Sequence, residues 1–396
     1  MKSITKLVLT IVFINLLSSA CSNKKPELAK QTDSFYTIVG PRMYDIDFSG
    51  SGYLDSKKWI WTEREDYIPT LTDTSNWATV LSQTDCIKFY SILVNKYDNK
   101  TRQVLADLVQ KTGLEVLVEV GGSRLAGGIL ENGKLAGEMA AKHDQKQLQK
   151  WLDTPGAQLD AITTDHAMMW YVREMRPEQI ELLIQEHLDY IEAMQKWKPG
   201  LKVGFIESLG YFEFDDTYKT YKQHDKQLPH FEFRTFMTQL VTEANKRGIK
   251  IDHFDIDFGF RGVNMDTYGL EFKYDQWCGA EKPDYGRILK AEKICRELGL
   301  NVGVIFNDLF PDTPFEEKYG GKFHEYDSPQ EAERACAQRN IAFIKAYFEA
   351  GGHPKRLIFQ SWTMNPTRTG PESDSNSFFG ITRRQLDAVS QFLLEK

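Results

Sequence analysis

One pattern dominates the 396 residues: a short apolar, β-rich run followed by a stretch with helical spacing, eight times over. The runs are Tyr36 to Val39, Cys86 to Val94, Leu114 to Val120, Ala161 to Asp165, Leu201 to Glu207, Ile251 to Phe258, Leu300 to Asn307 and Arg356 to Trp362. Between them lie helical patterns over Thr101 to Thr112, Asp144 to Leu152, Pro177 to Lys196, Phe231 to Arg247, Tyr285 to Leu298 and Ser328 to Ala350. Several close on a glycine that ends a helix before a strand, at Gly113, Gly248, Gly299 and Gly351. Strands joined by helices run parallel, and eight such units close on themselves, so the expected fold is α/β, a (β/α)8 TIM barrel. The first unit is irregular: Ser49 to Leu81 is rich in Gly, Trp, Asp and Thr and reads as a long loop with a short helix near Asn76 to Leu81. No Pro/Gly/Ser-rich linker splits the pattern, so residues 35–396 are expected to form one barrel.

The residues before the barrel carry a different message. Lys2 and Lys6 precede an apolar run from Leu7 to Leu17 that is too short to span a bilayer as a mature helix, which is the layout of a signal peptide. The run ends in Leu17-Ser18-Ser19-Ala20-Cys21, similar to a bacterial lipobox, in which small residues admit the peptidase and the cysteine thiol takes a diacylglycerol. Residues 1–20 are therefore expected to be a lipoprotein signal peptide and 21–34 a polar tether. Cys21 would be the lipidated N-terminus of an exported protein anchored at the outer membrane or facing the periplasm. An ordinary secretory signal with an incidental cysteine is the alternative. Cys86, Cys278, Cys295 and Cys336 match no zinc or redox spacing; export permits disulfides, but spacing does not pair them.

In a (β/α)8 barrel the chemistry lies where the strands end, on the face built by their C-terminal ends and the following loops. Those ends are polar here. The first strand runs into Arg42, Tyr44, Asp45 and Asp47, the third ends in Glu119, and the fourth in Thr164-Asp165-His166. The fifth ends in Glu207, the sixth reads His253-Phe254-Asp255-Ile256-Asp257, the seventh ends in Asn307-Asp308 and the eighth in Gln360-Ser361-Trp362. Side chains two apart share a face, which groups His253, Asp255 and Asp257, and sets Glu207 with Val203 and Phe205; both faces are expected to point inward. His253 and Asp255, being deeper, suit a buried polar network as well as substrate contact.

Two carboxyl groups are what glycosidic hydrolysis requires, one to protonate the leaving oxygen and one to act as nucleophile or to activate water. Asp165 and Glu207 end adjacent strands and are expected as nucleophile and acid/base of a retaining pair. Asp257 can replace either or tune the acid; paired with Asp165, one strand wider, it would suit inversion. Sugar rings also pack on aromatic faces, and Trp59, Trp61, Trp170, Tyr171, Tyr211, Phe212, Trp277 and Trp362 cluster after strands. Arg42, Arg64, Arg124, Arg261 and Arg368 share those loops and suit capture of sulfate or carboxylate, so an anionic polysaccharide is an expected partner. The substrate-contact set expected is Arg42, Tyr44, Glu119, Arg124, His166, Trp170, Tyr211, Asp255, Arg261, Asn307, Gln360 and Trp362.

Other classes recede. A net charge of -7 argues against nucleic acid as the partner. The eight histidines form no H-x-H pair, so no metal is expected, and the Gly121-Gly122-Ser123 and Gly127-Gly128 loops lack the order of a P-loop, so no nucleotide or other cofactor is.

The eight-strand pattern, Asp165, Glu207, the His-Phe-Asp-Ile-Asp strand, and Gln360-Ser361-Trp362 followed by Pro366 and Pro371-Glu372 resemble outer-membrane lipoprotein glycoside hydrolases of polysaccharide-degrading bacteria. Size and layout are similar to the endo-acting α-L-fucanases of glycoside hydrolase family 168. That resemblance implies a retaining cut of a fucose-containing sulfated polysaccharide, with Asp165 and Glu207 at the positions that match the catalytic Asp and Glu. The absence of Asn-Glu ending strand four and of Glu ending strand seven sets the chain apart from the large retaining β-glycosidase clan. Two rival functions stay open: a non-catalytic surface glycan-binding lipoprotein, and a polysaccharide lyase using Tyr44 or His166 with Arg42.

Overall fold

In the computed structural model all eight runs are strands, and they pair in chain order into a closed barrel, β8 meeting β1. The strands are β1 Tyr36–Gly40, β2 Cys86–Tyr90, β3 Glu115–Val120, β4 Ala161–Asp165, β5 Lys202–Glu207, β6 His253–Ile256, β7 Asn301–Ile305 and β8 Arg356–Gln360. Every pairing is parallel. The structure describes residues 35–40, 67–122, 136–168, 180–215, 217, 232–258, 284–306, 329–360 and 369–395. All of these except Phe35 belong to one compact unit, Tyr36–Lys396.

Local chemistry explains where the helices start and stop. Asp98 caps the helix Asn99–Thr112 by accepting from the Thr101 N–H, and Gly113 ends it at a φ of 68° that a side chain would resist. Glu232 accepts from the Arg234 and Thr235 N–H groups ahead of Phe233–Lys246, and Ser377 accepts from Gly380 ahead of Phe378–Leu394. Phe378–Leu394, absent from the sequence expectations, completes the eighth unit. Two boundaries differ as well. The run expected as strand to Val94 leaves the sheet at Tyr90 and continues as the helix Ser91–Lys96, because apolar content alone does not separate a buried strand from a buried turn of helix. The helix expected from Asp144 begins at Ala136, which puts Asp144 mid-helix, fully buried, taking hydrogen bonds from Tyr190 and the Gly122 N–H. Burial raises the Asp144 pKa to about 7, only partly offset by those two bonds.

The barrel's inner face is set by one apolar layer: Ile38, Cys86, Leu117, Ala161, Ile206, Ile305 and Ile358. The opposite faces pack on the helices. Phe306, for example, lies 5.5 to 6.4 Å from the rings of Phe343, Tyr347, Phe348 and Phe359. Burying an aromatic side chain of this kind contributes about 1.5–3 kcal/mol, so the clamp between β7, β8 and the helix Pro329–Glu349 is a large term in holding the barrel shut. Cys86 and Cys295 are both buried and free, so neither takes part in a disulfide.

Candidate active site

Alternation along each strand carries the inner face upward from the apolar layer to the mouth. On β2 it runs Cys86, Lys88, Tyr90; on β3, Leu117, Glu119; on β4, Ala161, Thr163, Asp165; on β8, Ile358, Gln360. On β6 the inner positions are His253 and Asp255, with Asp257 just past the strand end. Asp165, Asp257, Glu119 and Gln360 therefore converge at the C-terminal mouth, as expected, and His166 joins them.

The inward face expected for β5 is a correction. Ile206, not Glu207, belongs to the inner layer, and Phe205, on the same side as Glu207, stacks on His187 of the helix Ile180–Trp197 at 5.6 Å. The side chain of Glu207 thus starts on the helix-facing side. It is fully buried, and one oxygen accepts the Met168 N–H at 2.6 Å. That oxygen pins the turn after β4, the turn that carries His166.

At the mouth His166 stands between two acids. Its Nδ1 is 2.6 Å from Asp165 and its Nε2 3.4 Å from Asp257. Burial alone would lower its pKa, but the charge and hydrogen bond of Asp165, with the charges of Asp257 and Glu207, outweigh that and raise it to about 9. At neutral pH the ring is an imidazolium. Its backbone sits at φ 49°, a left-handed conformation that costs a non-glycine residue on the order of 1 kcal/mol, while its N–H still bonds Ile206 across the sheet. Strain held in place by a buried carboxylate next door is a frequent mark of a working site.

The two acids differ in setting. Asp257 is nearly sealed, with a side chain 7% exposed and, among the described residues, no hydrogen bond to Oδ1. Burial raises its pKa, His166 and Lys88 offset this only in part, and Asp165 adds to the rise. Asp165 is more open and bonds the imidazolium. The two contacts and the ring between them bound the separation of these carboxyl oxygens at about 8 Å, a limit that admits both the roughly 5–5.5 Å of retaining pairs and the shorter part of the roughly 6.5–9.5 Å of inverting ones.

Lys88 was missed by the sequence reading. Fully buried on the inner face of β2, it pairs with Glu119 of β3 at 2.5 Å and donates to the amide oxygen of Gln360 of β8. Its signal was a lysine inside an apolar run, in phase with Cys86 and Tyr90. Burial pushes Glu119 upward, Lys88 counters, and Asp165 adds to the rise.

Asp255, expected as a substrate contact, lies below the mouth and is fully buried, 3.4 Å from Arg356, and its carboxylate fills the space over Gly303. The His253 ring likewise occupies the space over Gly204 and bonds Asp252 at 3.2 Å. Both residues sit in a buried polar network, one of the two roles their depth suggested. Tyr211 lies in a 3-10 turn, Leu209–Tyr211, and its side chain is outside the described residues. Arg42, Tyr44, Arg124, Trp170, Arg261, Asn307, Trp362 and Cys21 lie outside the described residues altogether. Among the described residues no group of three or more His, Cys, Asp or Glu side chains could hold a metal ion.

No protein-family model matches this sequence, and no curated protein does. Among solved structures, a truncated form of 3-deoxy-D-arabino-heptulosonate 7-phosphate synthase from Thermotoga maritima is similar over 92% of this chain and 90% of its own, at 11% identity and a TM-score of 0.38. A glucosidase from Croceicoccus marinus is similar over 78% of this chain at 9% identity and a TM-score of 0.40, and the match spans 62% of the glucosidase.

Proposed function

We propose that this barrel is a glycoside hydrolase that cleaves a polysaccharide by an inverting displacement, with Asp257 as general acid and Asp165 as general base. The observation that carries the reading is the pair of carboxyl groups at the barrel mouth held apart by the His166 ring. Asp257, whose pKa burial raises, gives a proton to the glycosidic oxygen as the bond to the anomeric carbon breaks. Asp165, hydrogen-bonded to His166, takes a proton from the water that attacks that carbon from the opposite face. Glu207 is then a positioning residue, in place of the acid/base of a retaining pair. A fucose-containing sulfated polymer, implied by the family resemblance, is the first substrate to try.

The test is to incubate the soluble chain, starting after Ser22, with sulfated and neutral polysaccharides, and to follow products by mass and the first-formed anomer by NMR. Saturated oligosaccharides of inverted configuration are expected. Retained configuration removes the Asp165–Asp257 assignment, unsaturated ends mean a lyase, and uncut polymer retained on a column means a binding protein. Anchoring through Cys21 belongs to the same proposal: Cys21→Ala should be exported but take up no labelled palmitate.

A further inference from the structure

Beside the acid pair, the mouth carries a second polar group that the chemistry above does not use. Lys88 of β2, Glu119 of β3 and Gln360 of β8 meet there, joined by the ion pair and the amide contact described above. Gly40 of β1, in register with Gln360, lets their stems come together: a Cβ at that position would lie 3.2 Å from that of Lys88 and 3.3 Å from that of Gln360. The cluster abuts the acids, since Asp165 and His166 act on the charge of Glu119 and Lys88 acts on that of Asp257.

A buried Lys–Glu pair is a poor way to stabilise a fold, because the cost of desolvating both ions offsets most of their attraction. The cluster has a definite hydrogen-bonding polarity, however. Lys88 has only donors, so it fixes the Gln360 amide with oxygen toward the ammonium and the NH2 directed away. It engages Glu119 through one carboxylate oxygen, Oε2, and the other remains an acceptor. A donor from Gln360 and an acceptor from Glu119 thus flank one ammonium, at residues still 5% and 7% exposed, and suit the hydroxyls of a ring. They do not match an anion: Lys88 is committed to Glu119 and His166 to Asp165, so a sulfate or carboxylate seated here would face carboxylates whose cations are already engaged.

Resting on the hydrolase reading, we infer that Lys88, Glu119 and Gln360 form the wall that grips the sugar ring at the point of cleavage, and that this wall selects a ring presenting neutral hydroxyls.

The inference is tested by saturation-transfer NMR on the soluble chain. The probes are a neutral hexose and a neutral 6-deoxyhexose on one side, and glucuronate and a hexose sulfate on the other. Three proteins are compared: the parent, Lys88→Met/Glu119→Leu, and Asp165→Asn/Asp257→Asn. Transfer to a neutral probe is expected in the parent and in the double Asn variant, and is lost in Lys88→Met/Glu119→Leu, whose melting temperature stays level or rises because an apolar pair replaces a buried ionic one. Transfer to the anionic probes alone, no transfer to any neutral probe, or neutral-probe transfer unchanged in Lys88→Met/Glu119→Leu each overturns the inference. A lower melting temperature with binding intact shows a purely structural pair and overturns it too. If the wall variant loses neutral-sugar binding while the parent cuts no polymer, the wall stands and only the hydrolase reading falls.

Discussion

The two ends of the barrel interior use the same kinds of side chain and treat them in opposite ways. At the N-terminal end, Glu115 takes hydrogen bonds from Tyr36 at 2.5 Å and Lys202 at 2.8 Å, Asp252 meets His253, and Asp255 meets Arg356. Burial pushes Glu115 and Asp252 upward, but for Glu115 the bonds from Lys202 and Tyr36, and for Asp252 the bond and charge of His253 with the charge of Arg356, outweigh it and hold both below their ordinary values. At the mouth the balance reverses. Glu119 and Asp257 end up raised, because burial there exceeds what Lys88 and His166 return. Carboxylates whose partners favour the ionised form brace a structure; carboxyls shifted by burial toward the protonated form are equipped for acid–base work.

The largest test of this contrast is mutation at the mouth. Asp165→Asn and Asp257→Asn should each lose roughly 10²–10⁴-fold in turnover, and Asp165→Asn should also lose the stability that its contact with His166 supplies at neutral pH. A loss of stability in place of activity would erase the distinction between the ends. Below the mouth the reverse is expected: Asp255→Leu strands the Arg356 charge in the core and should cost about 3–5 kcal/mol in denaturant titrations, while the folded fraction keeps its turnover.

Titration sharpens the comparison. A histidine whose folded pKa is raised from 6.5 to about 9 contributes stability that is complete below pH 6.5 and lost as pH rises through about 9. Denaturant curves measured across that window should show the loss in the parent and a flatter profile in His166→Gln. The lowered Glu115 and Asp252 act at the other extreme, their contribution disappearing as pH falls through their folded pKa values. A smaller effect is expected at Glu207, where Glu207→Gln keeps an acceptor for the Met168 N–H and should cost about 0.5–1.5 kcal/mol with turnover largely intact. A dead Glu207→Gln enzyme would return the acid/base role to β5. Smallest is Lys202→Met: its ion pair is about two-fifths exposed, so a change of about 0.2–1 kcal/mol in the same assay is expected.

Much of this layout could be read without coordinates, and particular residues show where reading stopped. Asp165, His166, Glu119, Asp257 and Gln360 were found because a polar residue ending an apolar run stands out, and in a barrel such ends share one face. Lys88 was missed because it lies within a run, and its partner Gln360 is 272 residues away. Nothing local to either residue marks the pair.

The alternation of strand and helix by itself determined the barrel, since eight parallel units with one apolar face each have few ways to bury those faces. It also determined which end of the barrel carries the polar groups. Side-chain period along a strand states which residues face together, but not which of the two faces looks inward. Closure of the sheet decided that. It turned Ile206 into the lumen and Glu207 toward the helices, and left Asp165 and Asp257 on either side of one imidazolium. That last arrangement depends on contacts between β4 and β6, two strands that do not pair with each other, so only the tertiary structure could supply it.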